Sequence, residues 1–201
     1  MNAVRAVVFD MGGVLVDLQT ITHLFGDDSE TEGTMWARWL ASPSVRSYEM
    51  GECDLATFAT HFVEEARLKC NATTFIERFR KWPNGLFAGA AQLVNTLNPG
   101  LTTAILSNTN ALHWREQRDA IAITELFDRK YLSFELGLAK PDAAMFEHVI
   151  ADLACDPSQI VFLDDNQINV DAAQRSGIQA FTVKGVAETR TVLTKLNLVC
   201  T

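Results

Sequence analysis

The chain has 201 residues, 48% of them hydrophobic and 21% charged, with a formal net charge of −8. That length and composition predict a packed core, as one sizeable domain or one domain with a smaller insert, and exclude a disordered chain. An acidic balance disfavours nucleic acid and anionic membranes as main partners, but not an anionic small molecule held through a cation or local basic groups.

The opening MNAVRAVVFD does not read as a signal peptide, because its apolar run is short and stops at an acid. No window approaches the roughly 18 apolar residues of a spanning helix. Cys53, Cys70, Cys155 and Cys200 are scattered with no C-x-x-C pair, which predicts reduced thiols in a cytoplasmic protein rather than a disulfide or zinc framework.

Val4 to Phe9 reads as a short buried strand ending in Asp10. The block from 18 to 85 contains no good strand. WARWLA, LATFATHFVEEARL and TTFIERFRKW have helical spacing, with Leu55, Phe58, Phe62 and Ala66 on one face and Phe75, Ile76 and Phe79 on another. The acidic DDSETE (27–32) reads as a solvated loop, and Pro83-Asn84-Gly85 as a stop.

From residue 87 the pattern alternates. Phe87, Ala90, Leu93, Val94 and Leu97 give a helix face, LTTAIL a strand, ALHWREQRDA a helix, and KYLSF a short strand. Met145, Phe146, Val149, Ile150 and Leu153 form another helix face. IVFL is a strand, NVDAAQRSG a helix closed by Gly177, and IQAFTV a last strand. Strands separated by helices predict an α/β fold with a Rossmann-like parallel sheet, helices on both faces and right-handed crossovers. The expected division is a catalytic core at 1–17 and 86–201 with an inserted all-helical cap at 18–85.

Open α/β sheets bind ligands at the carboxyl ends of their strands. Here those ends carry Asp10, then Ser107-Asn108-Thr109-Asn110, then Asp164-Asp165-Asn166, with Lys140-Pro141-Asp142 just before a helix. Three carboxylates close together cannot all stay ionised without a counter-cation. Oxygen ligands suit Mg²⁺ with a substrate phosphate. Ser107, Asn108 and Lys140 could hold phosphate oxygens while Asp10 attacks phosphorus. Each residue alone has a plainer reading, as a helix cap, a turn or a surface lysine. Together and in this order they point to phosphoryl transfer.

The same residues resemble the four motifs of the haloacid dehalogenase-like hydrolases: FDMGGVLVD, LSNTN, LAKPD and FLDDNQINV, in order along the whole chain. The insert at 18–85 resembles the cap that follows motif one in one subclass, and YEMGECDLATF a recurring cap segment. The resemblance implies that Asp10 is the nucleophile and a Mg²⁺ ligand, that Gly12 offers the metal its backbone carbonyl, and that Ser107 and Asn108 bind the transferring phosphate. It makes Lys140 the residue that steadies Asp10 and the phosphate, Asp165 the direct acidic ligand, and Asp164 a ligand directly or through water. Asn169 stands where the family often has an acid, and Asp17 matches a hinge position.

The departure is Gly12, where most phosphatases of the family carry a second Asp that protonates the leaving oxygen and then activates water. Such help is worth roughly 10²–10⁴ in rate. Three readings follow. The first is a Mg²⁺-dependent phosphatase acting on a small phosphorylated metabolite, with a sugar phosphate favoured because the chain is similar to the α-D-glucose-1-phosphate phosphatase branch, which shares this glycine. The second is a metal-independent 2-haloacid dehalogenase. The third is a catalytically weak phosphate-binding or regulatory protein. His113 is the titratable side chain near motif two that could replace the missing base, against a plainer role in packing or capping. Trp36, Arg38, Trp39, Arg46 and Tyr48 are candidates for lining the cap side of the cleft, with Trp36 and Trp39 reading first as cap core. Glycine at position 12 also raises the expectation of a backbone conformation closed to other residues. Monomer and homodimer both stay open.

Overall fold

The computed structural model describes residues 3–26, 29–116 and 124–200. Its strands in chain order are Ala6–Phe9 (β1), Val16–Leu18 (β2), Pro83–Leu86 (β3), Thr102–Ser107 (β4), Arg129–Leu132 (β5), Ile160–Asp164 (β6) and Gln179–Thr182 (β7). The run Ala-Val-Val-Phe of β1 is buried throughout, as a strand covered on both faces requires. It lies at the centre of a five-stranded sheet ordered β5-β4-β1-β6-β7, every neighbouring pair parallel. Phe9 stands level with Ile105 on one side and Leu163 on the other, so Asp10 emerges beside Asp164 on one rim.

Alternate residues of the central strands feed two separate cores, the period-two signature of a sheet packed on both sides. Val7, Phe9, Ile105, Val161 and Leu163 pack against Leu93 and Val94 of Ala90–Asn95 (α6) and Leu193. Ala6, Val8, Ala104, Leu106 and Phe162 pack against Met145, Phe146 and Val149 of Ala143–Leu153, and against Val170 and Ala173 of Gln167–Arg175. Among the described residues the other core α-helices in chain order are Ala111–Glu116 (α7) and Ser133–Leu136 (α8), so Ala143–Leu153 and Gln167–Arg175 become α9 and α10, and Gly185–Lys195 is α11.

Between β2 and β3 lie Ile21–Phe25 (α1), Glu32–Ala41 (α2), Pro43–Glu49 (α3), Leu55–Glu65 (α4) and Ala72–Arg80 (α5). Thr31, Ser42, Asp54 and Asn71 start four of them by accepting a hydrogen bond from a backbone N–H three residues on. Their apolar faces meet in a third core in which Trp39 packs edge-on against Phe58 and Phe62.

The block 18–85 does contain strand, at both ends. β2 and β3 form an antiparallel ribbon with Val16 opposite Leu86. Pro83-Asn84-Gly85, which follows the end of α5 at Arg80, is therefore part of a strand as well as the point past which the helix does not run. Beyond the ribbon, Gln19 N–H donates to the Trp82 carbonyl at 2.8 Å, and Trp82 Nε1 donates back to the Gln19 carbonyl at 2.8 Å. Asn84 Nδ2 donates to Asp17 Oδ2 at 3.0 Å, which places Asp17 on this ribbon, as a hinge residue would be. The KYLSF strand ends at Leu132, and Ser133 already opens α8. The helix expected at 111–120 is described over Ala111–Glu116; its last four residues lie outside the described residues, as do Asp27 and Asp28 of the acidic loop.

Candidate active site

Asp10 follows β1 directly, and its backbone N–H donates to the Leu163 carbonyl at 2.8 Å. Asp10 is 8% exposed, on the floor of a cleft of about 670 Å³ between the sheet rim and α2, α3 and the end of α5. Lys140 Nζ lies 2.9 Å from Asp10 Oδ1 and 2.7 Å from Asp164 Oδ2. Burial raises the Asp10 pKa, and Asp164 and Asp165 add to that; Lys140 opposes it. Burial works against the Lys140 charge, but Asp10 and Asp164 outweigh it and hold Lys140 firmly protonated.

Carboxylate oxygens of Asp10, Asp164 and Asp165 all lie within 4.8 Å of one another. Asp164 is fully buried and its oxygens are spoken for. Oδ1 accepts from the Asn166 N–H at 2.8 Å and Asn169 Nδ2 at 3.1 Å; Oδ2 accepts from Lys140 and again from Asn169. This geometry makes Asp164 an anchor for Lys140 and Asn169. Asp165 is more open, and its carboxyl is pushed up to about 6 by burial and by Asp164, eased by Lys140 and Lys184. Three acids and one paired lysine leave negative charge over, and the donors are all oxygen. Asp10 and Asp165, with Gly12 at the edge of the same cleft, therefore suit a hard divalent cation such as Mg²⁺.

The two glycines after Asp10 play opposite parts. Gly12 has no positive φ, and a Cβ there would meet only Leu18 Cδ1 at 3.3 Å, the end of a flexible side chain. The expected backbone constraint lies instead at Gly13, whose φ is 72° and whose Cβ would fall 2.2 Å from Asp165 Oδ2. Glycine at 13 is what lets the Asp165 carboxylate sit against the motif-one turn.

Ser107 ends β4 and lines the cleft. Asn108 also serves the backbone of motif three. Its Oδ1 accepts from the Lys140 N–H and its Nδ2 donates to the Lys140 carbonyl, both at 2.9 Å. It thus clamps the Lys140 peptide, leaving one amide hydrogen for the cleft. His113 bonds through both ring nitrogens, Nε2 to the Phe79 carbonyl at 2.7 Å and Nδ1 to Asn110 Nδ2 at 3.1 Å. Burial pulls its pKa down to about 4. It ties α7 to the end of α5 and has no nitrogen left for substrate.

Of the cap candidates, Trp36, Trp39 and Arg46 line the cleft. Trp39 also belongs to the cap core, being 4% exposed. Tyr48 is buried and stacked on Phe58 at 4.5 Å, and Arg38 lines a different recess, donating to Glu30 and the Ala66 carbonyl. Sequence reasoning passed over Glu49, Leu40, Trp82, Trp114 and Ile168, which also line the cleft. Leu40 and Ile168 are 54% and 55% exposed, one on each lip.

The chain belongs to the haloacid dehalogenase-like hydrolases, whose family model matches residues 4–177. It is 24% identical to D-ribitol-5-phosphate phosphatase from Bacteroides thetaiotaomicron, over 95% of this chain and 97% of that one. It is 27% identical to (S)-2-haloacid dehalogenase 1 from Pseudomonas sp., over 92% and 87%. A haloacid dehalogenase family enzyme from B. thetaiotaomicron, solved as its magnesium complex, superimposes with a TM-score of 0.73 at 25% identity, over 91% of this chain and 94% of that one. No helix among the described residues is long and apolar enough to cross a membrane.

Proposed function

We propose that this hydrolase is a cytoplasmic Mg²⁺-dependent phosphatase that cleaves a small phosphorylated metabolite through an aspartyl-phosphate on Asp10. The observation that carries the reading is the Asp10–Lys140 pair at 2.9 Å inside a three-carboxylate cluster, at the floor of a cleft between sheet and cap. Lys140 holds Asp10 Oδ1, which leaves Oδ2 to attack phosphorus in line with the leaving oxygen. The Ser107 hydroxyl and the Lys140 ammonium take phosphate oxygens, and Asn108 keeps Lys140 in place. Asp10, Asp165 and the Gly12 carbonyl would hold Mg²⁺, which when bound supplies positive charge opposite the phosphoryl oxygens. We take 1–17 and 86–201 as the catalytic core and 18–85 as a cap that excludes water and selects substrate.

A sugar phosphate remains the first substrate to try. The similarity to D-ribitol-5-phosphate phosphatase and the resemblance to the α-D-glucose-1-phosphate phosphatase branch support it, and tryptophan faces such as Trp36 suit a sugar ring. The test is phosphate release from a metabolite panel, sugar 1- and 6-phosphates included, with and without Mg²⁺. Turnover that needs Mg²⁺ is expected. A second reading, a metal-independent 2-haloacid dehalogenase, is favoured by the similarity to the Pseudomonas enzyme and by the missing acid at Gly12. It gives no reason for Asp165 to stand beside Asp10. Halide release from 2-haloacids in EDTA would establish it. Phosphate binding without turnover anywhere in the panel would favour a regulatory protein.

A further inference from the structure

We infer that Glu49, on the cap, is the general acid and base that position 12 lacks; the inference rests on the phosphatase reading above. Glu49 is the last residue of α3 and lines the same cleft as Asp10. Lys140 and Asn108 act on its carboxylate from the core, and Arg46 from its own helix. Lys140 is the residue that pairs with Asp10, and Asn108 clamps the Lys140 peptide, so the Glu49 carboxyl faces the Lys140 side of the cleft from the cap.

The end of α3 is fixed against the core at two further points. Arg46 pairs with Asp142, at the start of α9. Gly51, with φ at 73°, brings the chain so close to α8 that a Cβ would lie 2.5 Å from the Phe134 carbonyl oxygen. A carboxyl carried on a cap helix is thereby located relative to the sheet.

Among the described side chains lining the cleft, Arg46, Lys140 and Lys184 are cations, Asp10 is the nucleophile and Asp165 belongs to the carboxylate cluster. His113 has both ring nitrogens engaged. Glu49 remains. Burial raises its carboxyl to about 7, against the pull of Lys140, Arg46 and Asn108, which suits a group that gives and takes a proton near neutrality.

The steps balance. As the Asp10 oxygen forms its bond to phosphorus and the ester P–O bond breaks, protonated Glu49 gives its proton to the leaving oxygen, which departs as an alcohol. Ionised Glu49 then takes a proton from water as that water's oxygen attacks the aspartyl-phosphate. The bond from Asp10 to phosphorus breaks, inorganic phosphate leaves, and both carboxyls return to their starting states.

The experiment compares wild type with Glu49→Gln in Mg²⁺, on p-nitrophenyl phosphate and on a sugar 6-phosphate, across pH 5–9. Glu49→Gln should lose about 10²- to 10⁴-fold in kcat on the sugar phosphate, whose alkoxide needs a proton. With the aryl ester it should release p-nitrophenol in a burst as phosphorylated Asp10 accumulates. The limb near pH 7 should disappear from its rate profile, and Gly12→Asp added to Glu49→Gln should recover turnover. A loss with no p-nitrophenol burst and an unmoved pH profile would overturn the assignment, as would a loss below about threefold. Wild type inert on every phosphate ester would overturn the phosphatase reading itself, and this assignment with it.

Discussion

The two walls of the cleft differ in kind. The core wall is charge and backbone: Asp10 and Asp165 at the rim of a parallel sheet with carboxylate oxygens within 4.8 Å of one another, and Lys140 paired to Asp10 at 2.9 Å. The cap wall is mostly ring and hydrocarbon, Trp36, Trp39 and Leu40, with Arg46 and Glu49 at its inner end. On the proposed reading the first holds the phosphoryl group. The second would select the body of the substrate. The nucleophile and the metal ligands of that reading stand where strand register fixes them, while the cap helices would choose the substrate and lend one group, Glu49, to the chemistry.

That contrast can be broken hardest at Asp10. Asp10→Asn is expected to cut phosphate release by about 10⁴-fold or more, measured as steady-state turnover, with the fold intact by circular dichroism. Next comes the metal: EDTA should abolish activity and Mg²⁺ restore it, with the Mg²⁺-induced rise in Tm lost in Asp165→Asn. Gly13→Ala should weaken Mg²⁺ by about 10- to 100-fold in a thermal-shift titration, because the new Cβ collides with Asp165 Oδ2. Gly12→Ala should leave that titration nearly unchanged, since only Leu18 must move. On the cap wall, Trp36→Ala should raise KM about 2- to 10-fold with little change in kcat.

The smallest effect expected is that of Arg46→Ala. Its half-exposed pair with Asp142 is worth at most about 1 kcal/mol, so Tm should barely move. Its charge helps keep the Glu49 carboxyl from rising further, so the alkaline limb of the rate profile should shift to higher pH. Stability offers an independent reading of the same group. Glu49 is raised above its ordinary value, so its contribution is fully present below about pH 4.5 and is lost as pH rises through about 7. Between pH 5 and 8 the Tm of wild type should therefore fall more than that of Glu49→Gln.

The core wall was legible in the sequence because each polar signature sits where an apolar run stops, and the parallel register brings those stops together. Asp164 and Asp165 could not be separated that way. Their difference lies in which hydrogen-bond donors surround each, and Asn169 and Lys140 reach Asp164 only through the folded chain. The ribbon was missed because β2 and β3 are three and four residues long, and Pro83 and Gly85 mimic a turn. Helix α11 was missed because Gly185 and three threonines dilute its apolar face. Glu49 left one faint trace, an acid inside YEMGECDLATF, and its place over Lys140 depends on how the cap docks.

The ribbon of β2 and β3 has a consequence for how such a chain can change. Val16 and Leu86 stand opposite each other, so the polypeptide leaves the core and returns to it at neighbouring points. Everything between is a closed excursion whose ends already meet, and lengthening it adds little to the entropy of joining them. Insertions, deletions or a wholly different set of helices could be spliced in above Leu18 and Pro83 while the sheet below kept its connectivity and its three polar strand ends. A chain with nothing there but a tight turn would keep Asp10, Lys140 and Asp165 in place, open to water and without a wall to choose among substrates.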